Sequence, residues 1–237
     1  MSGIHALAIV IPARDEEALI NECLTSVLAA IAEAQRHHTL QVSVVVVADG
    51  CTDNTATIAR GFDGVQVTEI DEQSVGAARA HGVALALTSL EADPTSTWIA
   101  NTDADSAVPL NWVSEQLALA EHGVQVMIGT VRPDFTDLIP AQIIVWKNTH
   151  PAGVANGHVH AANLGMTAKV YLAAGGFPNQ PEHEDADLVA ELKRQGANVQ
   201  ATHRCEVVTS GRQVGRTPGG YAGFLRTQLV EQVNQSE

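Results

Sequence analysis

Four clusters of acidic and polar side chains stand out in the chain: Pro12-Ala13-Arg14-Asp15-Glu16, Asp49-Gly50-Cys51-Thr52-Asp53-Asn54-Thr55, Thr102-Asp103-Ala104-Asp105-Ser106 and Glu182-His183-Glu184-Asp185-Ala186-Asp187. Asp103 and Asp105 are two apart after an apolar run, so both carboxylates can turn toward one ligand, and hard oxygen donors of this kind suit Mg²⁺ or Mn²⁺. Glu184 and Asp185 are adjacent carboxylates, which can raise each other's pKa. Each cluster also has a plainer reading. Asp49 and Asp53 are residue types that cap turns and helices, Asp-x-Asp is common in turns, and acids are favoured at a helix start. His150, His158, His160, His183 and His203 show neither H-x₃-H nor HExxH spacing, which speaks against a zinc centre.

Position gives the clusters more weight. Leu7 to Ile11 is a short apolar run stopped by Pro12, and Val42 to Ala48 is a β-branched run stopped by Asp49-Gly50. Both read as buried parallel strands, apolar on two faces. Between them Ala18, Leu19, Leu24, Val27, Leu28 and Ile31 recur at helical spacing, with Asp15, Glu16 and Glu17 expected at the helix start. A helix over Asn54 to Arg60, a strand over Val65 to Ile70, a helix over Val75 to Leu90 and a strand over Thr97 to Asn101 continue the alternation. A helix near Asn111 to Glu121, a strand near Gln125 to Val131 and a helix near Ala141 to Lys147 follow. This pattern predicts an α/β fold with a doubly wound, mostly parallel sheet and helices on both faces, whose ligands sit beyond the carboxyl ends of the strands. Each of the first three clusters falls at such an end. The segment Thr149 to Asn163, rich in Gly, Asn and His, has no period and reads as a substrate lid.

Taken in order, these motifs resemble the inverting glycosyltransferases of family 2, which have the GT-A fold. The resemblance runs from Leu7 to about Arg216 and adds Asn163 to Lys169, Gly175-Gly176-Phe177 and Glu184-Asp185-Ala186-Asp187-Leu188 to the clusters above. It implies that Pro12, Ala13, Arg14 and Glu16 line the donor nucleotide's pocket, that Asp49 contacts the base, and that Asp103 lies near the ribose. It also implies that Asp105 binds a Mg²⁺ or Mn²⁺ bridging the two phosphates, with His203 as a further metal ligand. The acceptor-side base would be Asp185, with Glu184 as the alternative. Arg212 and Arg216 resemble the late basic segment that many members fold over the diphosphate. Lys169-Val170 departs from the pattern, since many members carry two adjacent basic residues there.

Charge limits the partners. The chain of 237 residues has a formal net charge of −14 with only 13 Lys and Arg, which argues against a nucleic-acid partner. An anionic donor would be repelled unless a cation reversed the local potential, which the implied metal would do. No apolar segment approaches the ~20 residues needed to span a bilayer, and the start lacks a signal-peptide pattern. The expectation is a cytoplasmic enzyme with a nucleoside-diphosphate-sugar donor and an unidentified hydroxyl acceptor, open to peripheral membrane contact. Cys23, Cys51 and Cys205 read as reduced thiols. The expected organisation is one domain: a donor half over 1–108, an acceptor half over 109–216, and a C-terminal helix and tail over 217–237. Two alternatives remain, a nucleotide-sugar-binding protein without turnover and a sugar nucleotidyltransferase. The latter should carry a Gly-rich, basic phosphate loop after the first strand, where this chain has Pro12 to Glu16. The lack of G-x-G-x-x-G there disfavours a dehydrogenase.

Overall fold

The computed structural model describes residues 3–215 and 220–235. Strand β1 (Ala6–Ala13) leads through α1 (Ile20–Gln35) to β2 (Gln41–Asp49), then α2 (Thr55–Arg60), β3 (Val65–Ile70), α3 (Val75–Leu90) and β4 (Thr97–Asn101). The second half runs β5 (Ser106–Ala107), α4 (Trp112–Glu121), β6 (Val126–Pro133), α5 (Pro140–Thr149), β7 (Leu164–Thr167), α6 (Ala168–Ala173), α7 (Glu184–Arg194), β8 (Val199–Thr209) and α8 (Tyr221–Gln235).

Among the described residues the strands form one eight-stranded sheet in the order β3-β2-β1-β4-β7-β6-β8-β5. β1 to β4 run parallel; β7 is antiparallel to both β4 and β6, β8 is parallel to β6, and β5 is antiparallel to β8. All strands except β5 and β7 therefore point the same way, and their carboxyl ends share one edge. The doubly wound layering follows from strand residues that are apolar on both faces. Leu7, Ile9 and Ile11 with Val44 and Val46 join the core under α1 and α4, while Ala6, Ala8 and Val10 with Val45 and Val47 join the core under α3 and α7. α3 lies very close to the sheet because residue 82 is Gly: a Cβ there would meet Val10 Cγ1 at 2.5 Å and Val47 Cγ2 at 2.9 Å. A third, smaller cluster joins α5 to α8 through Leu138, Val145, Trp146, Leu225 and Leu229.

Two local features differ from the sequence expectation. α1 starts at Ile20, so Asp15, Glu16 and Glu17 lie in the loop before it rather than in its first turn. Asp15 takes a left-handed φ of 49°, and the Glu16 and Glu17 amides donate to Thr55 Oγ1 and Asp53 Oδ2, which holds this loop against the β2–α2 loop. In the second half, β6 and β8 separate at a bulge where the pairing jumps from Gly129–Thr202 to Val131–Val207. The buried Asn163 fills the gap, donating to the Thr130 and Cys205 carbonyls and accepting from Trp112 Nε1. All three cysteines are free thiols, and no helix among the described residues is long and apolar enough to cross a membrane.

Candidate active site

The shared carboxyl edge opens into a cavity of about 710 Å³, within the usual range for ligand sites. Pro12, Ala13, Arg14, Glu16, Asp49, Asp103, Asp105, Glu184, Asp185 and Arg212 all line it. They come from the ends of β1, β2, β4 and β8 and from the start of α7, so residues up to 200 positions apart in sequence face one space. His203 is not among them. It sits in the β8 bulge and is exposed, because the bulge takes residues 203–206 out of the β6 pairing. The structure does not bring it to Asp105. Arg216 lies outside the described residues.

At the end of β2, Asp49 is buried and fixed by three backbone amides of the β3–α3 loop: those of Glu72 and Gln73 at 2.8 Å and Ser74 at 2.9 Å. The carboxylate thereby folds that loop across the end of β2. Arg14 Nη2 reaches Gln73 Oε1 at 3.1 Å, tying the β1 loop to the same segment.

At the centre stands a residue that sequence reasoning missed. Arg79, on α3 and only 1% exposed, bonds through Nη2 to Asp103 and through Nε to Glu184 Oε1 at 3.1 Å. Its Nη1 is buried without a hydrogen-bond partner among the described residues. Burial alone would lower the Arg79 pKa, but Asp103 and Glu184 hold it above the ordinary value. Ala78, Gly82, Val83 and Ala86 form the buried stripe of α3, and Arg79 shares it. That spacing was the available signal, since a basic residue on a buried helical stripe needs carboxylate partners.

The two carboxylates of the last cluster behave differently. Glu184 is buried, and burial pushes it up although Arg79 pulls against this. Asp185 is half-buried on the cavity wall, where Oδ2 accepts from the Ala161 amide at 2.8 Å and Oδ1 from the Ala186 amide at 2.7 Å.

Asp105 has one oxygen near the hydroxyls of Ser106 and Thr209, both at 3.3 Å, and the other 2.8 Å from Arg212 Nη2. Arg212 also grips Glu16 through two bonds of 2.7 and 2.8 Å. Burial and the neighbouring Asp103 push Asp105 up to about 6, against the pull of Arg212. A separate group, Asp15, Cys51 and Asp53, places its ligand atoms within 4.8 Å of one another and is compatible with a divalent ion. Its carboxylates already accept from the Thr52 and Thr55 amides, as loop-fixing residues do.

One wall of the cavity is aromatic. His150, His158 and His160 from the loop after α5, with Tyr221 and Phe224 from α8, line the cavity beside Asp185. The sequence reading set these histidines aside as metal ligands and did not consider them as ring surfaces.

Residues 8–146 match the family model described as Glycosyl transferase family 2. None of the curated proteins compared matches the sequence. Among solved structures, the chain is similar to S. aureus TarS (TM-score 0.64, 16% identity, covering 87% of this chain and 37% of that one). It is also similar to the mannosyltransferase PcManGT from Pyrobaculum calidifontis in complex with GDP-Man and Mn²⁺ (TM-score 0.65, 19% identity, 100% and 64%). A third is glucosyl-3-phosphoglycerate synthase from Mycobacterium tuberculosis with phosphoglyceric acid (TM-score 0.59, 16% identity, 98% and 80%). The chain thus spans less than two thirds of the first and second of these proteins, and at such identities the likeness is one of fold.

Proposed function

The chain belongs to glycosyl transferase family 2, and on that footing we propose that it moves a sugar from a nucleoside diphosphate to an acceptor hydroxyl, inverting the anomeric centre with Mg²⁺ or Mn²⁺ as cofactor. The observation that carries this reading is the convergence of Asp49, Asp103, Asp105 and Asp185 on one cavity. A donor held along β1, β2 and β4 would have its anomeric carbon between the two sets. Asp185, fixed by two amides and facing the cavity, is the group to take the proton from the attacking hydroxyl. Glu184 is held by Arg79 and serves to position that arginine.

The donor set fits a hard divalent cation. Asp103 and Asp105 offer carboxylate oxygens, and among the described residues the cavity is lined by seven carboxylates against three guanidinium groups, an excess that opposes a diphosphate. A cation bound there would neutralise the diphosphate and stabilise it as a leaving group. Two solved relatives supply precedent, one in complex with GDP-Man and Mn²⁺ and one, TarS, with UDP. A second reading has Arg212 supply the positive charge without metal, and the 2.8 Å contact of Arg212 with Asp105 favours it. Against it, Arg212 is already neutralised by Glu16 and Asp105.

Calorimetric binding of UDP, GDP and their sugars with Mn²⁺ or with EDTA, on the wild type and Asp105→Ala, separates these readings. Binding of one diphosphate that needs both metal and Asp105 supports the metal-dependent transferase. Binding that survives EDTA and is lost in Arg212→Ala supports the second reading, and no binding of any of them removes both.

A further inference from the structure

The aromatic wall beside Asp185 is built with more order than a lid requires. Trp146 stacks on His150 with ring centroids 4.6 Å apart and planes 5° from parallel. His150 meets His158 edge-on at 6.1 Å, His158 meets His160 at 6.4 Å, and His160 meets Tyr221 at 5.6 Å. Phe224 closes the series against His150 at 6.2 Å and Tyr221 at 5.9 Å. Trp146 is buried behind His150 and backs the wall, while the other five rings line the cavity.

We infer that this wall is the acceptor subsite and that it takes an uncharged saccharide ring; the inference rests on the transferase reading for the word acceptor, but the ring-binding surface stands on its own geometry. Successive rings from His150 to Tyr221 meet at 76–80°, which makes a faceted corner and not a parallel slot for a flat aromatic ligand. A puckered ring with C–H bonds on its faces and hydroxyls on its edge suits such a corner, because aromatic faces receive the C–H groups. His158 and His160 can each add a ring N–H donor and a ring nitrogen acceptor for the hydroxyls, while His150, whose Nδ1 is engaged by the Trp146 carbonyl and the Thr149 hydroxyl, has Nε2 to offer.

Charge excludes the competing classes. Among the described residues, the guanidinium groups lining the cavity are those of Arg14, Arg79 and Arg212; Arg79 and Arg212 are already paired with carboxylates and none of the three belongs to the aromatic wall, which weighs against a phosphorylated or carboxylated acceptor there. Arg132 and Lys147 stand over Phe135, which does not line the cavity. A quaternary ammonium ligand uses ring faces alone and would leave the imidazole nitrogens without partners. Burial also lowers the pKa of His150 and His160, so near neutral pH they present uncharged rings.

The test measures binding rather than turnover. The full chain is titrated, with and without UDP or GDP and Mn²⁺, against methyl glucoside, methyl galactoside and methyl mannoside, with glucose 6-phosphate, glucosamine and choline as charged counterparts, followed by saturation-transfer NMR and calorimetry. At least one uncharged glycoside should bind more tightly than every charged probe. His158→Ala, an exposed substitution that leaves the core intact, and His160→Ala should each weaken it about tenfold, whereas His160→Phe, which keeps the ring face, should lose less than the alanine. Preference for a charged probe, no glycoside binding, or full binding in both alanine variants overturns the inference. Glycoside binding in a protein that binds no diphosphate upholds the saccharide surface while removing the transferase reading; diphosphate binding without glycoside binding does the reverse.

Discussion

At the scale of single residues, the adjacent carboxylates at the start of α7 sit in different surroundings, Glu184 buried against Arg79 and Asp185 on the cavity wall, and under the proposed reading they have separate tasks. Asp185→Asn keeps the shape of the side chain and removes its basicity, so kcat should fall by about 10²–10⁴ with diphosphate affinity unchanged in calorimetry. Glu184→Ala should instead act on the fold: it removes one of the two carboxylates that hold the buried Arg79 guanidinium and leaves Nε unpaired, a loss of up to about 3–5 kcal/mol, readable as a lower urea midpoint. If Glu184→Gln abolishes turnover while Asp185→Asn spares it, the roles are reversed. Asp105 gives a pH signature. Its folded pKa of about 6 lies above the ordinary 3.8, so the cost of ionising it in the fold is present in full above pH 6 and is relieved as pH falls through that value, giving the free protein a small gain in stability. Cation binding has the opposite sign, because it needs the carboxylate: Mn²⁺-dependent diphosphate affinity should decline below pH 6, and Asp103→Asn, by removing the neighbouring negative charge, should move that decline to lower pH than in the wild type. The strand-end acids were legible in the sequence because chemistry-bearing residues follow apolar runs. Arg79 was harder to find, since its only signal was a basic residue on the buried stripe of a helix otherwise rich in alanine, and the placement of His203 depends on a β-bulge that cannot be read from residue types.

At the scale of elements, the parallel half of the sheet was readable almost strand for strand, because β1 and β2 are apolar on both faces and their β-branched runs end in polar loops. The half containing β5, β7 and β8 was not. β5 has two residues and β7 four, too short to show a period, and β8 alternates irregularly because its bulge frees four residues from pairing. What holds these strands is tertiary, chiefly Asn163 with its three buried bonds to Thr130, Cys205 and Trp112. The approach of α3 to the sheet is the element-scale determinant of the site, since α3 carries Arg79. Gly82→Val would drive a branched side chain into Val10 and Val47, where even a Cβ meets them at 2.5 and 2.9 Å. Overpacking of this kind costs about 1–3 kcal/mol. Lifting α3 should also loosen Arg79 from Asp103, so the variant should lose both urea stability and diphosphate affinity. A stable Gly82→Val with undiminished binding would show that the position of α3 does not set the geometry at Asp103.

At the scale of the whole molecule, the net charge of −14 and the carboxylate excess of the cavity act together. A free nucleoside diphosphate approaches a surface and a mouth of its own sign, so its association should be slow at low ionic strength and should quicken as salt screens the field. Between 10 and 150 mM salt the screening length shortens from about 30 Å to about 8 Å, which brings the repulsion inside the dimensions of the cleft. Stopped-flow binding of a fluorescent GDP or UDP analogue in EDTA should therefore give an association rate that rises severalfold across that range, while the same analogue with saturating Mn²⁺ should show a much flatter dependence, because the complex arrives with most of its charge neutralised. The contrast between the two curves matters more than either slope. Rising rates in EDTA with flat rates in Mn²⁺ would mean that the cation acts before contact, as a condition of entry, as well as at Asp105. Falling rates in both would mean that Arg14, Arg79 and Arg212 dominate the potential at the mouth despite being outnumbered, and the need for a metal would then rest on the chemistry of the leaving group alone.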